Sequence, residues 1–446
     1  MGFTTDKQTR EDLNISGRFR LNAISRLFDR TVTSGGGQLM DKLFQQPLSD
    51  DIEINTRAAI FSYFRGCEKQ FPFTYDEFET VANYLRTGGS GNLISTGLLI
   101  FWQKVIELAA QDTTYQRLTS EVTQTINLLH RLRSFVSGMS GEHHPYQEHV
   151  TKINDVLNDP RLKELNRTMP EQKLSLSMLV RYDYTFRVDM IREMQMLLEM
   201  VSWLDVYLSV AEVARERGFI FANALSSDKQ VLHIEQLYHP SVENAVGNLV
   251  SLDQQKNVLF LTGANMAGKS TLMKSIGISL YLAHMGFPIA ASSMEFSVKD
   301  GLYTSINVPD NLSLGHSHFY AEVLRVKAVA EAVSRGEHLV AIFDELFKGT
   351  NVKDAYDATL AISEAFSENR NCLFIISTHI IEVGEALMGR CANFEFAFMP
   401  TVMQGAVPTY PYQLTEGITA DRQGMVIIEN EGILDILNQS IITSDG

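Results

Sequence analysis

At 446 residues the chain exceeds one ordinary hydrophobic core, so two or three domains are expected. Its 45% apolar and 20% charged content excludes a disordered polymer. A net charge of −15 excludes a generic nucleic-acid coat, which needs Lys and Arg against phosphate, but leaves room for a local basic patch.

Met1–Glu11 is polar and lacks an apolar core, so no secretory leader is expected. Over residues 1–65 the pattern is of capped helices. Phe28-Asp29-Arg30-Thr31-Val32-Thr33 precedes Gly35-Gly36-Gly37, and Gln38–Phe44 is amphipathic. Pro47 stops that helix. Asp50 and Asp51 cap the next, which carries Ile54, Ala58, Ile60 and Phe61. From residue 66 to about 220 the period is helical almost throughout. Leu93–Trp102 is the longest apolar stretch, interrupted by Ser95 and Thr96. It covers about half of a membrane span and reads as a buried helix. Gly138, Gly141, Pro145, Asp159, Pro160 and Pro170 mark loops. His143, His144 and His149 lie there without matching partner ligands and read as solvated surface. The best-marked helix is Arg187–Glu216, with a core stripe of Met190, Met194, Leu197, Val201, Leu204, Leu208 and Ala211. Its length would be about 45 Å, and Gly218 ends it.

From Val231 onward, strand-like runs alternate with helices, the mark of an α/β domain with a largely parallel sheet. Val258–Leu261, Leu339–Phe343 and Leu373–Ser377 are the clearest strands. The three cysteines, Cys67, Cys372 and Cys391, have no pairing or zinc spacing, and the usage suggests a reducing cytoplasm.

Each polar motif follows one of these strands. Gly263-Ala264-Asn265-Met266-Ala267-Gly268-Lys269-Ser270 fits G-x-x-x-x-G-K-[ST], with a strand before it and helical periodicity from Thr271 to His284 after it. In that pattern backbone N–H groups cradle a triphosphate at a helix N-terminus. Lys269 reaches the terminal phosphates and Ser270 ligates Mg²⁺. Asp344-Glu345 closes a second strand: in a triphosphate site the first acid supports Mg²⁺ and the second polarises water. Ser377-Thr378-His379 closes a third, where the histidine can hydrogen-bond the terminal phosphate or the water.

The order of the Gly263–Thr271 loop, Asp344-Glu345, Gly349-Thr350-Asn351 and Ser377-Thr378-His379 resembles the ATPase domain of the MutS family, which belongs to the ABC-type ATPases. His239-Pro240, Val246-Gly247-Asn248, Asp310-Asn311-Leu312, Ser317-His318-Phe319-Tyr320-Ala321-Glu322 and Tyr412-Gln413-Leu414 with Gly417 agree with it. Ile24–Thr33, Pro47-Leu48 and Arg57 are similar to the start of the MutS core domain. Trp203-Leu204-Asp205-Val206 and Ala211–Ala214 resemble the helix leading back from the levers. The middle, 66–185, matches in helical character alone.

The resemblance implies an α/β ATPase domain, with a P-loop and an ABC-type mixed sheet flanked by helices, preceded by an all-α core and lever domain. It divides the chain into a core start at 1–65, a helical lever region with a reduced or absent clamp at 66–225, and the ATPase domain at 226–446. It implies ATP and Mg²⁺ as cofactors. Gly263, Ala264, Asn265, Met266, Ala267, Gly268, Lys269, Ser270 and Thr271 would hold the phosphates, Ser270 and Asp344 the metal. Glu345, His379 and Lys269 would be catalytic. It implies a homodimer in which Ser317 of one copy reaches the other copy's phosphate. Tyr412 stacks on adenine or packs on the surface. Mismatch-recognition and connector domains are not expected, nor a trailing nuclease domain. Phe347-Lys348-Gly349 replaces the family's Gly-Arg-Gly, and His318 a Thr. Three purposes stay open. The first is a DNA-acting ATPase for repair or recombination, on double-stranded or branched DNA. The second is an ATP-driven protein-interaction switch whose partner supplies recognition. The third is an ATP-binding fold that has lost turnover.

Overall fold

The computed structural model describes residues 2–16, 23–67, 69–89, 91–110, 112–139, 143–165, 168, 173–264, 266–306, 318–404, 407–419, 432–433 and 436. Two compact units are interleaved in sequence. One comprises Met1–Arg26, Gln46–Ala58 and Ala214–Gly446, the other Leu27–Gln45 and Ala59–Val213.

All the regular secondary structure among the second unit's described residues is helical. The helix Ser34–Leu43 starts at Thr33, whose hydroxyl accepts from the Gly36 N–H. Tyr75–Arg86 starts with a capping box between Thr74 and Glu77. The methionine-rich helix runs Ile191–Arg217, and a π-helical turn, Thr185–Asp189, precedes it where the sequence pattern suggested continuous helix. All seven residues of its stripe are buried.

Two expectations for this unit need correction. Leu93–Ala110 is a helix, but not a buried one: Thr96 and Ile100 are covered, while Ile94, Leu98, Leu99 and Trp102 are 56 to 77% exposed. Apolarity drives burial only where a partner surface exists, and within this unit one face of the helix has one. His144 and His149 are not freely solvated either. His144 stacks on Tyr63 at 4.5 Å and His149 on Tyr146 at 4.7 Å, so flat rings fill gaps in an aromatic cluster. Among the described residues no His, Cys, Asp or Glu group is arranged for a metal ion.

The first unit is mixed α/β. Its main sheet has six strands in the order Thr415–Glu416, Phe394–Met399, Val258–Gly263, Leu373–Ser377, Leu339–Phe343, Gly301–Ser305. All neighbours pair in parallel except the first two. Every residue of Leu339–Phe343 and Leu373–Ser377 is buried, as for strands covered on both faces. Alternate residues Val258, Phe260, Ala341, Phe343, Phe374 and Ile376 share one core with Val329, Phe366, Val383 and Leu387 of the helices. Cys372 is part of that core. A four-stranded sheet, in the order Asn223–Leu225, Ser293–Ser297, Leu232–Leu237, Asn248–Leu252, and two two-stranded sheets belong to the same unit. No helix among the described residues is long and apolar enough to cross a membrane.

Candidate active site

Parallel pairing brings the ends of the inner strands to one edge of the sheet, where ligands of such sheets bind. Register then decides which side chains meet. Phe343 is paired with Ile376, so Asp344 emerges beside Ser377. Ser305 is paired with Phe343, and its carbonyl accepts from the Asp344 N–H at 2.9 Å.

The Val258–Gly263 strand turns into the helix Lys269–His284 through a loop that depends on glycine. Gly263 has φ +131°, and a Cβ there would lie 2.8 Å from the Met399 carbonyl. Gly268 has φ +104°, and a Cβ would lie 3.0 Å from the Tyr412 ring. Met266 adopts φ +72° and is 78% exposed. Lys269 folds back into the loop, its Nζ donating to the carbonyls of Gly263 at 2.7 Å and Ala264 at 3.0 Å. Burial lowers its ammonium below the ordinary lysine value, while Asp344 and Glu345 pull the other way.

Asp344 is the hub. Its Oδ2 accepts from Ser270 Oγ at 2.5 Å and its Oδ1 from Ser377 Oγ at 2.5 Å. Glu345, at φ +58°, has its N–H on the Ser377 carbonyl at 3.1 Å. Its Oε1 lies 2.6 Å from His379 Nε2, and Lys348 is 3.7 Å from Oε2. The His379 hydrogen bond holds the Glu345 carboxyl below its usual range, against a smaller opposing effect of burial. Beside the loop lies a cleft of about 550 Å³, lined among others by His239, Asn244, Met266, Lys269, Thr271 and Tyr412. That volume suits a small molecule.

Lys269, Ser270, Asp344, Glu345 and His379 are therefore brought together, as are Gly263, Ala264, Ala267, Gly268 and Thr271 in the loop and helix start. Asn265 and Ser317, with Asp310-Asn311-Leu312, lie outside the described residues. Tyr412 borders the cleft at φ +57°, 47% exposed. Two contributors had no role assigned from sequence. Ser377 steadies Asp344. Asn248 holds the Tyr412 turn, with its Nδ2 donating to the Tyr412 carbonyl at 3.0 Å and its Oδ1 accepting from the Leu414 N–H at 2.6 Å. The signal for Asn248 was its place in Val246-Gly247-Asn248, but nothing local linked it to a residue 164 positions on.

Residues 259–441 match the family model described as MutS domain V. The chain carries a domain V of the MutS family. Over 307 residues it is 30% identical to the DNA mismatch repair protein MutS of Leuconostoc mesenteroides subsp. mesenteroides, a match covering 67% of this chain and 34% of that protein. The protein of the same name from Streptococcus thermophilus (strain ATCC BAA-491 / LMD-9) is 26% identical over 310 residues, covering 67% and 36%. That of Listeria innocua serovar 6a is 28% identical over 282 residues, covering 60% and 32%. This chain thus spans about a third of the length of these relatives. The site residues from Leu259 to Tyr412 all fall within the domain V match.

Proposed function

We propose that domain V binds ATP with Mg²⁺ and hydrolyses it. The observation that carries this reading is the Asp344 carboxylate fixed between Ser270 and Ser377, with the Glu345–His379 pair alongside. The residues fit both groups. The glycine turns leave room for phosphate against the backbone, and Ser270 Oγ and Asp344 Oδ2 already converge as a hard-oxygen pair for a small dication. Mg²⁺ bound there would neutralise phosphate charge. Gly263–Gly268 amides and Lys269 hold the phosphates, and Thr271 continues the helix N-terminus behind them. Glu345 accepts a proton from the attacking water, and His379 orients Glu345 and senses the γ-phosphate. Tyr412 covers the base side of the cleft. Ser317 of a second copy completes the site in a homodimer.

We further propose action on DNA in repair or recombination, without direct mismatch reading. Its support is that the relatives named above are DNA mismatch repair proteins. The divisions 1–65, 66–225 and 226–446 belong to this proposal as family segments of the sequence; the compact units cut across them, grouping Met1–Arg26 and Gln46–Ala58 with Ala214–Gly446. A second reading, a switch acting on a protein partner, has its own support. Arginines of the helical unit are engaged internally: Arg117 with Glu121, Arg131 with Glu77, Arg161 with Asp159 and Glu193, Arg187 with Asp183. Cations already paired are less available to phosphate.

The test is ATPase rate and mass in solution. Wild type should turn over Mg-ATP, and Glu345→Gln should trap a nucleotide-bound dimer by size-exclusion with light scattering. Absence of nucleotide binding by either protein would overturn the reading. Linear, mismatched and branched DNA added across a salt series separates the two purposes: stimulation that fades steeply with salt supports DNA, and a flat response supports the protein switch.

A further inference from the structure

We infer that Asp12, on the N-terminal helix Lys7–Asp12, is a positioning residue for Asp344. The segment 2–16 would then be a working part of the domain V sheet, although it lies outside the matched residues 259–441. The inference rests on the nucleotide reading above for its consequence, but not for its geometry.

The strand Gly301–Ser305 is the last of the main sheet, with one side open to pairing. The N-terminal segment occupies that side. Thr4 forms a parallel bridge with Gly301, its N–H donating to the Asp300 carbonyl at 2.8 Å and its carbonyl accepting from Leu302 at 3.0 Å. The approach is so close that a Cβ at Gly301 would stand 2.6 Å from Thr4 Oγ1 and 3.0 Å from the Thr4 carbonyl. The chain then enters the helix, capped by Asp6, whose Oδ1 accepts from the Thr9 N–H at 2.8 Å. Leu13 packs into the space left by Gly277, on the helix that begins at Lys269.

What the helix presents to the strand end is polar and buried. Thr9 is fully covered and Asp12 is 4% exposed. The Thr304 N–H donates to Thr9 Oγ1 at 3.0 Å. The Thr304 hydroxyl and the Ile306 N–H donate to Asp12 Oδ2 at 2.7 and 3.0 Å. Arg325 donates to the Thr304 carbonyl at 2.7 and 2.9 Å and to Thr9 Oγ1 at 2.9 Å, while paired with Asp6. Both neighbours of Ser305 are thus clamped by one helix. Ser305 itself offers its carbonyl to the Asp344 N–H at 2.9 Å. A continuous run of contacts leads from Asp12 through Thr304–Ile306 to Asp344 and on to Ser270.

Removing the Asp12 carboxylate leaves a buried hydroxyl and a buried N–H without their acceptor, so the strand end must shift or admit water. Displacements of about 1 Å at a reacting centre cost roughly a hundredfold in rate.

The test compares Asp12→Ala, Asp12→Asn and Thr304→Val with wild type in the full chain. Hydrogen–deuterium exchange is read on peptides covering 302–306 and 341–346, with Leu373–Ser377 as the control. Asp12→Ala should exchange faster at both test peptides and leave the control unchanged. Its kcat should fall about 10- to 100-fold. The Mg²⁺ needed for half-maximal rate should rise, and ATP affinity in EDTA should stay within about twofold. Asp12→Asn keeps an acceptor oxygen and should restore most of the rate. Thr304→Val, which keeps the Ile306 contact, should fall between them and decides the matter if Asp12→Ala does not fold. Unchanged exchange at 341–346 in a folded Asp12→Ala or Thr304→Val protein overturns the inference. So does an Asp12→Asn protein as impaired as Asp12→Ala. Faster exchange in a chain whose wild type neither binds nor hydrolyses ATP supports the positioning link and sinks the nucleotide reading.

Discussion

His379 Nε2 lies 2.6 Å from Glu345 Oε1, joining residues that follow two neighbouring parallel strands. The pair gives Glu345 a fixed direction despite its left-handed backbone, an uncommon conformation for a non-glycine residue. If Glu345 is the base, Glu345→Gln should lower kcat by about 10² to 10⁴ and leave ATP affinity near wild type. His379→Ala should cost less, about tenfold, because the carboxylate remains but loses its orienting partner. The lowered carboxyl keeps Glu345 ionised at neutral pH, so its acid limb lies below the ordinary carboxylate value. In His379→Ala that limb should move upward. Steady-state rates from pH 4 to 8 decide it, and an unchanged limb would count against the pairing.

Lys269 trades stability for binding. Its buried ammonium is lowered in pKa and held by two loop carbonyls. Lys269→Ala removes that desolvation cost. We expect ATP affinity to fall about 10- to 100-fold, as for loss of a charge-assisted hydrogen bond. The melting temperature should hold or rise. Fluorescent-nucleotide titration and a thermal melt on the same sample measure both. A marked drop in melting temperature would mean that Lys269 supports the fold itself.

Strand positions were legible where chemistry is local. Leu339–Phe343 and Leu373–Ser377 have the bounds read from sequence, because each is a short apolar run ended by polar residues. The stripe from Met190 to Ala211 was legible for the same reason, since its 3.6-residue period is written in neighbouring letters. Leu93–Trp102 was not: hydropathy records a tendency to leave water, not whether a partner surface is there. The contacts of Thr4, Thr9 and Asp12 with residues 300–306 join segments nearly 300 positions apart, and no local period encodes them. The interleaving of the two units has the same origin, whereas sequence blocks are consecutive by construction.

Two buried groups in the sheet unit give its stability opposite slopes with pH. His284 is fully covered, with Nδ1 2.9 Å from the Leu48 carbonyl and Phe3 stacked on its ring at 3.9 Å. Burial lowers its pKa to about 4 from 6.5, so the unfolded chain takes up the proton first and stability is lost as pH falls from 6.5 towards 4. Glu322 is raised to about 7 from 4.5, by burial first, with the Glu345 charge adding to it and Lys348 opposing. Here the folded protein holds the proton longer, so stability is lost as pH rises from 4.5 towards 7 and is flat above. Glu322→Gln should abolish the second slope and keep the first. Its advantage over wild type should grow with pH to about 1–3 kcal/mol at pH 8. Urea midpoints at pH 5, 6, 7 and 8 show this, and a constant difference across the series would rule out titration of Glu322.

In the helical unit, Asp205 does for the start of the helix Ser34–Leu43 what Asp344 does for the candidate active site. Its buried carboxylate accepts from the Thr33 N–H and Thr33 Oγ1, both at 2.7 Å, and from the Val32 N–H at 3.0 Å. Burial raises its pKa, and these hydrogen bonds oppose the rise. Gly36 makes room for it, since a Cβ there would stand 2.4 Å from Asp205 Oδ2. Asp205→Ala leaves several buried donors unmatched, so a loss of about 3–5 kcal/mol is expected. Asp205→Asn presents one acceptor oxygen and should lose about half as much. Gly36→Ala should also destabilise, by about 1–3 kcal/mol, through overpacking against the same carboxylate. Because the two residues touch, the double variant Gly36→Ala, Asp205→Ala should lose less than the two single losses added together. Chemical unfolding of the four proteins, followed by the fluorescence of Trp102 and Trp203, both in this unit, measures the coupling. Strict additivity would show that Gly36 is not there to admit the carboxylate.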